Sequence, residues 1–118
     1  MSIQEASGFA DLGMWQEAWN AIEDAPAEDR EKVEALRVRL RCCAPLGAWD
    51  IGVELARFLR DGNEEDRKAA ALFWIALAKH DKFAAKDCLH AAIQAWPECR
   101  LAIIDDPELV LLLFPGLP

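Results

Sequence analysis

The side chains best suited to chemistry gather late in the chain. Cys88 and His90 lie two positions apart, with His80 and Asp87 just before them. A thiol beside an imidazole can act as a nucleophile or a redox sensor, and a third ligand could add a metal, provided the side chains converge. On a helix, two positions turn Cys88 and His90 about 200° apart, so they face different ways. His80 and Asp87, or Asp87 and His90, can share a face. Packed thiols and water-facing imidazoles are therefore expected, with no metal and no cofactor. A small α-helical enzyme or sensor using Cys88, His80 or His90 is the alternative. The only hydroxyl side chains are Ser2 and Ser7, since the chain has no Thr and no Tyr, so a hydroxyl nucleophile in a folded core is not expected. Cys42, Cys43, Cys88 and Cys99 form no CxxC pair, and the adjacent Cys42 and Cys43 could bridge only with strain. Reduced thiols of a cytoplasmic protein are expected.

Charge offers a second kind of chemistry. The net charge is −8, which disfavours a phosphate backbone as partner. Residues 35–60 form the only basic segment, with five bases and two acids. Within it Arg37 and Arg41 are four apart, hence on one helix face. Such a pair can hold a carboxylate by charge-assisted hydrogen bonds. It could equally be a solvated face, with Glu34 screening Arg37.

Helices must position these groups. The chain has 118 residues, 53% of them hydrophobic, enough for the core of one domain. Its 21 Ala and 15 Leu outweigh 7 Ile and 4 Val, a balance that favours helix over strand. Apolar spacing and punctuation predict helices over residues 2–12, 15–24, 27–43, 49–59, 64–80, 82–96, 97–104 and 107–113. Gly13, Pro26, Pro45 with Gly47, and Asp61 with Gly62 are read as stops. Asn63, Asp81 and Asp106 are read as caps, Asp106 being followed by Pro107 in the first turn. The helix over 27–43 is expected to bury Val33, Leu36, Leu40 and Cys43. The N-terminus has no basic start or long apolar run and is not read as a secretory signal. The longest apolar run, residues 109–114, is too short to span a bilayer.

A repeat organises these helices. Leu12-Gly13-Met14-Trp15 recurs as Leu46-Gly47-Ala48-Trp49, at an offset of 34 residues. Both copies fall in the turn between two expected helices. Here the chain resembles the tetratricopeptide repeat family, whose 34-residue unit is a helical hairpin with small residues at close contacts. In the first unit Ala6, Phe9, Gly13, Ala18, Ile22 and Ala25 take the small, aromatic, turn, small, large and small sites. In the second, Gly47 and Gly52 match, while Ala56 and Leu59 invert the large-then-small order. In the third, Ala85, Leu89, Ala92 and Pro97 match, with either His80 or Asp81 at the turn. The resemblance implies an all-α fold of antiparallel hairpins, residues 1–26, 27–62 and 63–96. They would stack as a short right-handed solenoid capped by residues 97–118. A plain antiparallel helical bundle is the other architecture.

In that family the first helix of each hairpin lines a binding groove. The resemblance implies a lining of Ile3, Ser7 and Asp11, then Glu34, Arg37 and Arg41. The third unit would add Lys68, Ala71, Ile75 and Lys79 in one register, or Arg67, Ala70, Trp74 and Leu77 in the other. Positions that clamp a C-terminal carboxylate in some members read Ile3 and Gln4 here, so that clamp is not expected. Trp15 and Trp49 are expected to pack between hairpins. The apolar run 109–114 either folds back over the last hairpin or meets another chain, since a terminal repeat ordinarily shows water a polar face. Together these features suggest a non-enzymatic cytoplasmic adaptor or assembly chaperone. Its partner would be another protein, a peptide or helix that could be acidic, with neither nucleic acid nor membrane involved. Homo-oligomerisation through the tail is the remaining option.

Overall fold

The computed structural model describes residues 2–116; residues 1, 117 and 118, at the ends of the first and last expected units, lie outside the described residues. Among the described residues 77% are helical and none forms a strand, as the composition requires. Contacts divide the chain into two compact units between Leu55 and Ala56.

The first unit begins with α1 (Ile3–Asp11). Ser2 and Glu5 form a capping box, the Ser2 hydroxyl accepting from the Glu5 N–H at 3.1 Å, which satisfies orphan donors of the first turn. Helix α1 ends at Gly13, in the left-handed region at φ 74°. The Met14 N–H donates to the Phe9 carbonyl and the Gly13 N–H to Ala10. These two bonds close the helix end as a Schellman motif. Helix α2 (Trp15–Glu23) follows, and Pro26 leads into the single turn α3 (Ala27–Arg30).

Helix α4 (Val33–Leu46) is where expectation and structure part. The single helix expected over 27–43 is broken at Lys32, which is extended at φ −68° and ψ 148°. No Gly or Pro marks this break. Its result is to aim Ala35, Val38 and Cys42, at i, i+3 and i+7, into a cluster with Ala6 and Ala10 of α1 and Ala18, Ala21 and Ile22 of α2. Of the face expected to be buried, Val33 is exposed and Leu36 only half-buried, whereas Leu40 and Cys43 are buried. The packed alanines let the three helices approach closely, so the small residues set the face. Pro45 does not stop α4. Its missing N–H gives up one bond, to the Arg41 carbonyl, near the end of the helix, and Gly47 ends the helix two residues later at φ 71°. Ala48 N–H donates to Cys43 and Gly47 N–H to Ala44, the same two bonds as at Gly13, shifted by 34 residues.

Helix α5 (Trp49–Leu59) carries the division between the units and buries Gly52, Ala56 and Leu59. These positions lie 34 residues after the buried Ala18, Ile22 and Ala25, and 33 before the buried Ala85, Leu89 and Ala92. Buried positions thus repeat through three helices, with a one-residue slip before the third.

The second unit is built on α6 (Glu64–His80) and α7 (Ala85–Ala95), a helical hairpin. Asn63 caps α6 in a box with Asp66, accepting from the Asp66 N–H at 2.8 Å. Asp66 is buried beside Gly62, where an added Cβ would lie 2.8 Å from the Asp66 Cβ. The α6–α7 connection uses neither proposed turn site as a left-handed residue. His80 ends α6, Asp81 is extended, and its side chain accepts from the Phe83 N–H at 3.1 Å. This Asx-type turn starts α7 at Ala85, so the helix expected from Lys82 to Trp96 is shorter at both ends. Helices α8 (Cys99–Ile104) and α9 (Pro107–Leu113) pack on each other and on α6 and α7, burying Cys99, Ile103 and Leu109. Residues 109–113 therefore fold back within their own unit.

Candidate functional site

The expected groove residues fall into two groups, one in each unit. In the first unit α1 and α4 are neighbours. Asp11, in the last turn of α1, meets Arg41 of α4, with Nη2 to Oδ1 at 2.7 Å. Their side chains remain 66% and 32% exposed, so the pair sits at water. Ser7 and Arg37 are half-buried and Glu34 is exposed. The structure thus brings Asp11 and Arg41 together, but it does not leave Arg37 and Arg41 as an open pair. Arg41 already holds a carboxylate from its own chain, and Arg37 also has an interaction partner. Arg39, which was not among the expected residues, bonds Glu23 at 2.8 Å and lies 4.8 Å over the Trp19 ring. Its hydrogen bond and charge lower the Glu23 carboxyl below its ordinary value.

In the second unit the two α6 registers separate. Lys68 lies 5.5 Å over the ring of Trp96, and Lys79 bonds Asp106 at 2.7 Å. Both cations thus face the unit's own α7 end and α9 start. Ile75 is half-buried. Trp74, from the other register, is buried and lines an open cleft of about 350 Å³. That cleft is also lined by Arg60 and Asp61 from the loop before α6, and by Ala91, Gln94 and Ala95 from α7. Its volume is at the small end for ligand clefts, which run roughly 300–1,000 Å³. Arg60 Nε approaches Asp61 Oδ2 at 3.8 Å, with side chains 62% and 87% exposed, too long for a hydrogen bond. Ala91 and Ala95, four apart, leave the space, and Gln94 supplies an amide.

Sequence reasoning found Trp74 and missed the other five lining residues. The Gln94–Ala91–Ala95 spacing on one helix face was legible. What was not legible was that the loop at Arg60 would meet the last turns of α7.

The Cys and His residues do not converge on one centre. Cys88 is buried, while His80 and His90 are exposed. Burial raises the Cys88 thiol above its ordinary value, with Asp81 and Asp87 adding to the shift. Cys42 is pushed up to about 11 and Cys43 to about 12, again chiefly by burial. Among the described residues no three His, Cys, Asp or Glu side chains group as metal ligands, and no helix is long and apolar enough to cross a membrane. The C-terminal helices leave Leu101, Ile104, Leu111 and Phe114 exposed.

The fold defines an all-α protein of packed helices. Comparison with protein-family models, curated proteins and solved structures gave no match to this chain.

Proposed function

We propose that this chain is a non-enzymatic protein-binding module, an adaptor or assembly chaperone of tetratricopeptide-like hairpins that holds an acidic peptide or helix. The observation that carries the reading is the Asp11–Arg41 pair. It joins the first helices of two hairpins at a water-accessible face, where an incoming carboxylate can take the place of Asp11. The exchange is cheap, because exposed ion pairs contribute only about 0–1 kcal/mol. The matching turns at Gly13 and Gly47 and the recurring buried positions support the repeat architecture.

The test uses a partner recovered by crosslinking to the whole chain, with affinities measured on purified components. Arg41→Ala should weaken binding, and Asp11→Asn should strengthen it by freeing Arg41. Raising salt from about 50 to 500 mM should weaken binding, since exposed charges are then screened. A partner indifferent to both substitutions and to salt would sink this reading. Self-association through the C-terminal helices is the second reading, favoured by the exposed Leu111 and Phe114. A sedimentation coefficient of the monomer at every concentration would remove it.

A further inference from the structure

We infer that α9 is an ionic latch, a short helix that leaves and rejoins the second unit as one piece, clasped at its first turn by Lys79 and Lys82. The device stands apart from both readings of function. It decides how much apolar surface the second unit shows to water.

The charges all act on one end of α9. Lys79, in the last turn of α6, donates to Asp106, and Lys82, in the turn that follows, donates to Glu108, each at 2.7 Å. Asp106 is the cap of α9 and Glu108 lies in its first turn. Both pairs meet water. A pair in that setting shifts an equilibrium by up to about fivefold, and salt screens it.

The rest of α9 is lightly held. Of its seven residues only Leu109 is buried. Val110, Leu112 and Leu113 are half-buried, and Leu111 is exposed, as is Phe114 just beyond. By contrast, α7 buries Ala85, Cys88, Leu89, Ala92 and Ala95. Segments with few buried apolar contacts open locally, before the unit that carries them unfolds.

The length of α9 makes the opening all-or-none. Isolated helices shorter than about 12–15 residues are marginal in water, because nucleation is costly. A seven-residue helix therefore melts once it undocks. Undocking breaks the bond from the Val110 N–H to the Asp106 carbonyl and that from the Phe114 N–H to the Val110 carbonyl. It bares Leu109 together with the parts of α6, α7 and α8 on which α9 packs.

The experiment is amide exchange of the full chain, followed residue by residue by NMR and corrected for intrinsic rate. The Val110 and Phe114 amides should be protected, yet at least about tenfold less than those of Leu89 and Ala92. Raising salt from about 50 to 500 mM should increase α9 opening about two- to tenfold and leave α7 unchanged. Lys82→Gln and Glu108→Gln should each increase it about two- to fivefold. The double variant should do no more than the larger single effect, because one pair is lost only once. With Lys79→Gln and Lys82→Gln combined, the salt dependence should vanish.

Val110 and Phe114 amides that exchange in step with Leu89 and Ala92 would overturn the inference, since α9 would then open only with its whole unit. Unprotected amides at both positions would overturn it too, because the latch would have nothing to hold. Salt-independent opening of the parent, or additive effects of Lys82→Gln and Glu108→Gln, would show that the ion pairs do not clasp the helix.

Discussion

Arg41 Nη2 donates to Asp11 Oδ1 across 2.7 Å, tying the end of α1 to α4 over thirty residues of sequence. Because both groups meet water, the bond is replaceable. Arg41→Ala should cost only about 0–1 kcal/mol of stability, so the thermal melt should hardly move. A large drop in melting temperature would mean that Arg41 is structural, and its binding phenotype could not then be read as recognition.

The glycines give predictions of opposite sign. Gly13 and Gly47 are left-handed, with open space where a Cβ would go. Replacing either with Ala should destabilise by about 1–2 kcal/mol, from backbone strain alone. Gly8 has the same open space but lies inside α1 with no left-handed angle. Gly8→Ala should therefore stabilise by about 0.5–1 kcal/mol. Urea titrations of the three variants check both signs.

Ala18 and Ala85 are almost fully buried, in α2 and α7 respectively. Ala18 lies in the alanine-rich cluster, where extra methylenes have no room. Leucine at either position should overpack its site and cost about 1–3 kcal/mol. Variants that melt like the parent would show that these helices do not meet closely.

The Lys79–Asp106 contribution to holding α9, which adds to the packing of buried Leu109, should be confined to a defined pH range. Lys79 hydrogen-bonds Asp106, and that bond lowers the Asp106 carboxyl and raises Lys79. A lowered carboxyl contributes stability that is complete above its unfolded value, about 3.9, and lost as pH falls through the folded value beneath it. A raised ammonium contributes stability that is complete below about 10.4 and lost as pH rises through its folded value. Amide exchange in α9, corrected for intrinsic rate, should be flat between these limits and faster on either side. Asp106→Asn should remove the acid limb and, because Asp106 is what chiefly raises Lys79, most of the alkaline limb as well. Asp106→Ala also removes the acceptor for the Glu108 and Leu109 N–H groups, so it should loosen α9 at every pH.

The thiols should be slow. Reactivity follows the thiolate, and burial raises all four cysteines. A disulfide reagent at about pH 8 should label the native chain far more slowly than the urea-unfolded chain. Fast labelling of Cys88 in the native protein would revive the sensor alternative with His80 or His90.

Local chemistry made much of the fold legible. Gly13 and Gly47 terminate helices because their backbone angles suit few other residues. Asn63 caps α6 with its own side chain, and Asp106-Pro107 starts α9 at the expected residue. The buried small residues Ala6, Ala18 and Ala85 were legible from the resemblance to a 34-residue hairpin repeat, which implies small residues at close helix contacts. The register of the third turn was not, since an Asx turn at Asp81 replaces the glycine and leaves no left-handed residue to mark it.

By itself, the sequence determined the all-α class, most helix ends and the 34-residue offset, because each depends on angles and hydrogen bonds within a few residues. Tertiary structure alone decided the break at Lys32, the buried face of α4, the partners of Arg41, Lys68 and Lys79, and the cleft beside Trp74. Those features depend on how one helix is rotated and shifted against another. That alignment is set by the summed packing of a whole unit, in which a single alanine against a single helix face has no sequence-local signature.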